Sequence, residues 1–159
     1  MPVSETSSDQ ADSITDLSRV RSEHLRFGWC TLGIFMLLGL ILETLHGFKV
    51  GWYLDVGNDT RRLMFQLAHA HGSLLALVNI AFALSLAHLS TTAFPRLDLA
   101  SRSLKFASIL MPGGFFAGGV IIHDGDPGLG IIAVPLGALG AILSAFLTWR
   151  AFSGRAETP

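Results

Sequence analysis

Four long runs of apolar residues divide this chain, at 27–48, 63–89, 104–123 and 129–149, and its polar residues collect before and between them. Each run can cross roughly 30 Å of hydrocarbon at about 1.5 Å per residue, the second with some tilt. None has the alternation over about ten residues that marks outer-membrane strands. The pattern predicts an all-α, polytopic membrane protein, a four-helix transmembrane bundle over 23–152 with a short tail at 153–159.

The segment 1–22 reads as an N-terminal tail. Residues 1–13 are rich in Ser, Asp, Glu and Thr and are expected to be disordered. From 14 to 27, Ile14, Leu17, Val20 and Leu25 recur at near-helical spacing among charged residues. That stretch is either an interfacial helix leading into the first span or a solvated tail. No positively charged start precedes a short apolar core, so the first span is expected to serve as an uncleaved targeting signal.

Small residues recur every four positions in span four (Ala133, Gly137, Ala141, Ala145) and span two (Ala68, Gly72, Ala76). Spans at this spacing pack closely. Pro112 and Pro135 are expected to kink spans three and four.

Composition agrees with the pattern. Half the residues are hydrophobic and 14% are charged, where a soluble domain carries about a quarter. A net charge of −1 without a basic run argues against nucleic acid. The single cysteine, Cys30, excludes an internal disulfide and a multi-cysteine metal site.

Basic residues set the expected orientation. Four spans put the N-terminus, the loop after span two and the C-terminus on one side. Eight of the eleven basic residues fall there: Arg19, Arg21, Arg26, Arg96, Arg102, Lys105, Arg150 and Arg155. The other side holds Lys49, Arg61 and Arg62. The positive-inside rule then places both termini in the cytoplasm of a bacterial-type inner membrane.

With this orientation Glu43, His46, His69, His71, His123 and Asp124 all belong to the outer half. Ionisable groups inside a membrane are costly and read by default as functional. Glu43 and His46 are three apart and share a helix face. His69 shares a face with Arg62, Gln66 and Ser73, whereas His71 lies about 200° away among Leu67, Leu74, Leu75 and Val78. A ferritin-like di-iron site needs a second E-x-x-H pair and further glutamates, which are lacking. His24 and His88 are expected at helix ends, where a polar side chain costs little.

Two cofactor readings stand. Two of His46, His69, His71 and His123 can ligate a haem b, with Phe65, Phe115, Phe116 and Met36 as its apolar clamp. Alternatively His46, His69 and His123 bind one Cu or Zn ion, with Glu43, Gln66 or Asp124 beside them. A third reading needs no ligand: His46 and His123 close their spans, where an imidazole meets water.

The segment Phe65-Gln-Leu-Ala-His-Ala-His-Gly-Ser-Leu-Leu-Ala-Leu resembles the second helix of subunit I of the haem-copper oxidases. The resemblance implies that His71, followed by Gly72, ligates a low-spin haem near the outer face. This chain departs from that family in its few spans, in Leu75 where a methionine is common, and in lacking a copper-site histidine pair. Oxygen reduction by this chain alone is not implied.

The expected function is haem or transition-metal binding in a respiratory or redox assembly, as an accessory or electron-transfer component. No catalytic residue is assigned, and independent enzymology is not expected. The expected partners are the bilayer, other membrane subunits or a homo-oligomer. The rivals are a small oligomeric proton-coupled transporter and a structural subunit without cofactor.

Overall fold

The computed structural model describes residues 4–55, 57–89 and 96–153, with side chains from Thr15 onward. Four helices follow one another: α1 (Ser4–Gly47), α2 (Thr60–Leu86), α3 (Leu97–Val120) and α4 (Ala133–Ser153). Among the described residues three stretches are long and apolar enough to cross a membrane: Thr15–Gly47, Thr60–Leu86 and Leu129–Ser153.

α1 is unbroken over 44 residues, about 66 Å at the usual rise. No proline or glycine interrupts the sequence between Val3 and Gly28, so nothing stops the helix from running on below the apolar stretch. The part of 1–13 expected to be disordered is thus helical backbone from Ser4, and 14–27 is a continuation of the first span. The run placed at 63–89 is helical from Thr60, and that at 104–123 from Leu97 to Val120. Arg155 lies outside the described residues.

Consecutive helices pack antiparallel, α1 on α2, α2 on α3 and α3 on α4. Small residues set the spacing, because they let backbones approach. A Cβ on Gly28 of α1 would meet Ile80 of α2 at 2.7 Å. One on Gly72 of α2 would meet the Phe35 ring of α1 at 2.3 Å, and one on Gly39 of α1 would meet the His69 ring at 2.5 Å. α4 repeats the device, with Gly137 against the Met111 backbone of α3. α2 is the most enclosed of these three stretches, and α1 and α4 present long apolar faces outward: Ile34, Leu37 and Leu40 on one, Leu139, Ile142 and Phe146 on the other.

α3 ends in a hairpin, β1 (Ile122–His123) against β2 (Asp126–Pro127), with His123 opposite Asp126. Asp124 and Gly125 both have positive φ, 48° and 95°, which a two-residue hairpin turn of the right twist requires. His123 therefore stands on an exposed strand rather than closing the third helix. A 3-10 turn (Leu129–Ile132) leads into α4. Pro135 falls in the first turn of α4, where its missing N–H has no helical partner to lose, so it is a helix start and not a kink. Pro112 lies inside α3 and is fully buried.

Candidate functional site

At the end of the molecule bearing the 48–59 loop and the hairpin, α1 and α2 part to form a cavity of about 400 Å³. Met36, Gly39, Leu42, Glu43 and His46 of α1, Tyr53 of the loop, and Gln66 and His69 of α2 line it. The helical spacing of Glu43 with His46, and of Gln66 with His69, accounts for their sharing one chamber.

His69 is held in a defined state. Its Nδ1 lies 2.7 Å from the Phe35 carbonyl. A carbonyl only accepts, so Nδ1 carries the proton and Nε2 keeps its lone pair in the neutral ring. Nε2 has no hydrogen-bond partner among the described residues and remains accessible beside the cavity. Gly39 makes this pose attainable, since any side chain there would occupy the ring's place.

Tyr53, 2% exposed, closes the cavity from the loop, packed with Leu42 and Phe65. Burial raises its phenol above the ordinary value. Glu43 makes no ion pair among the described residues: Arg62 pairs with Asp59 at 3.0 Å, and Arg61 donates to the carbonyls of Gly119 and Trp52. One turn below His69 on the same face, the Ser73 hydroxyl is enclosed and makes no hydrogen bond.

His71 occupies a separate face. Its Nδ1 donates to the Leu67 carbonyl one turn back at 2.9 Å, and its ring packs on Phe115 of α3 with centroids 4.8 Å apart. Its Nε2, like that of His69, is an unpaired and accessible acceptor among the described residues. Exposed Leu74 and Val78 and half-buried Leu67 flank it.

The seven expected residues thus divide. Glu43, His46, Gln66 and His69 share the cavity. His71 faces away from it, and His123 and Asp124 sit on the exposed hairpin outside its lining. Among the described residues no three His, Cys, Asp or Glu side chains gather closely enough to hold a metal ion. The trio His46, His69 and His123 is therefore not assembled; β1 carries His123 beyond the helix end where it was expected.

A second polar cluster lies toward the other end. His24, expected at a helix end, is in the middle of α1 and fully buried. Its Nδ1 donates to Asn79 Oδ1 of α2 at 2.7 Å, and its Nε2 accepts from Ser101 Oγ of α3 at 2.8 Å. Asn79 Nδ2 donates to the Leu75 carbonyl and to Ser108 Oγ, and the Ser108 hydroxyl donates to the Leu104 carbonyl. The neutral imidazole satisfies every partner. The sequence signal was Asn79, an amide in the middle of an apolar run, which predicts a polar contact between helices.

Compared with models of known protein families, with curated proteins and with solved structures, the chain matches none.

Proposed function

We propose that this chain is a four-span protein of an inner membrane, both termini cytoplasmic, that binds haem b in its outer half as an accessory or electron-transfer component of a redox assembly. α3 would be the remaining span. Its 24 residues are about 36 Å long and lie antiparallel between α2 and α4. Its charges, Asp98, Arg102 and Lys105, are confined to the end that would face the cytoplasm, and 106–120 carries none. The loop-and-hairpin end is then the outer one, by the excess of basic residues opposite.

The observation that carries the haem reading is the state of His71. An imidazole whose Nδ1–H is fixed by a carbonyl offers Nε2 in the geometry that metal ligation uses. Its surroundings, Phe115, Leu67, Leu74 and Val78, are the apolar wall that a flat macrocycle packs on. Haem iron takes only its axial ligands from the protein. Zinc and copper want three or four protein donors, which favours haem here. The cavity with Glu43, His46, Gln66, Tyr53 and His69 would hold and hand on protons beside the redox centre.

Reduced-minus-oxidised spectra of the full chain purified in detergent test this reading. A sharp haem band, lost in His71→Leu and kept in His69→Leu, is the expected result. A featureless spectrum after expression with ample haem overturns it. Bound copper or zinc lost in His69→Leu would favour the ion reading. Uptake by proteoliposomes that collapses on Glu43→Gln, with no haem present, would favour the transporter.

A further inference from the structure

Resting on the haem reading, we infer that the second axial ligand is the His71 of a second copy of this chain, so that one haem lies on the two-fold axis of a homodimer. Within one chain no histidine stands opposite His71. His46 and His69 line the cavity on the other face of α2, His24 is enclosed in its own hydrogen bonds, and His88 and His123 are exposed beyond the ends of α2 and α3.

Depth makes the open nitrogen significant. His71 is eight residues into the apolar run that begins at 63, about 12 Å along the helix, and so inside the outer half of roughly 30 Å of hydrocarbon. Lipid tails offer an acceptor nothing, and a polar atom left unpaired there is costly. Something in the membrane must meet it.

The lone pair on Nε2 defines what that is. Because the Leu67 carbonyl takes the Nδ1–H, the neutral ring offers Nε2 as an acceptor. A second copy approaching about a two-fold axis presents the same patch, and hence the same acceptor. Two lone pairs cannot bond to each other. They can both bond to a Lewis acid with two opposite open positions, and haem iron in its macrocycle is that. Leu74 and Val78, 58% and 39% exposed, would then close over the ring from both sides.

The test uses the full chain, purified after expression with haem. The expected composition is one haem for two chains, in a particle whose protein mass by light scattering is that of a dimer. His71→Met keeps an apolar side chain that can still ligate, so the protein remains folded while both axial ligands change. Its spectrum should shift and its midpoint potential rise, as thioether ligation does to haem. One haem per chain on a monomer overturns the shared site, as does an unshifted spectrum in His71→Met, while leaving haem binding itself intact. No haem in the wild-type protein overturns both.

Discussion

Polar groups sit inside the apolar helices in two regions, and the two are built in opposite ways. The His24 cluster closes on itself: His24, Asn79, Ser101 and Ser108 exchange hydrogen bonds across α1, α2 and α3 until every atom is used. The other region leaves atoms open. Among the described residues, His69 and His71 each spend one ring nitrogen on a backbone carbonyl and keep the second free, and Glu43 makes no ion pair. A closed network holds helices in register, because each group removed strands its partners. An open one is available to a ligand. The pair of regions separates architecture from chemistry within one short chain.

The largest expected effect breaks the closed region. His24→Leu leaves Asn79 Oδ1 and the Ser101 hydroxyl without partners in the core. At about 1–3 kcal/mol for each stranded group, unfolding should become easier by roughly 2–6 kcal/mol. Denaturant unfolding in detergent micelles measures this, and a cycle with Asn79→Leu should return a coupling of about 1–3 kcal/mol. His71→Leu, made in the open region and compared with the wild-type chain in haem-free protein, should alter stability by less than about 0.5 kcal/mol, the range of changes that strand no partner. Equal losses in the two variants would erase the distinction.

This contrast also explains what could be read in advance. Helix periodicity sufficed to put Glu43 with His46, and Gln66 with His69, into one cavity, and to turn His71 away, because those relations lie within single helices. The closed cluster joins positions 24, 79, 101 and 108, and no local period links them. His24 was further hidden because its helix continues below the apolar run that seemed to begin at 27. His123 was misplaced for a local reason, since Asp124-Gly125 makes a hairpin where an apolar run suggested continued helix. Tyr53 entered the cavity through a loop, whose path its sequence does not specify.

The next largest effect concerns how the open region is shaped. Gly39→Ala puts a methyl 2.5 Å from the His69 ring, and Gly72→Ala puts one 2.3 Å from the Phe35 ring. Each should cost about 1–3 kcal/mol through overpacking. Gly113→Ala, with nothing within 4 Å of the new methyl, should gain up to about 1 kcal/mol from helix propensity. Thermal unfolding of the three variants checks the order. If Gly39→Ala is as harmless as Gly113→Ala, the ring of His69 is not held where its contacts with α1 require.

A small effect is expected one residue from the largest. Glu23, beside His24, also ties α1 to α3, through Lys105 at 2.6 Å. Both ends of this bond are partly open, Lys105 at 28% and Glu23 at 42% exposure. Water and salt therefore screen it, and Arg19 remains within 3.1 Å of Glu23 when Lys105 is gone. Lys105→Met should cost no more than about 0.2–1 kcal/mol, and less as salt is raised. The neutral bonds of His24 should be indifferent to salt. Unfolding of both variants at low and high ionic strength makes the comparison within one turn of α1: a charged link at the rim that salt weakens, and an uncharged one in the core that it does not. A Lys105→Met loss as large as that of His24→Leu would mean that the rim pair, and not the buried cluster, sets the register of α1 on α3.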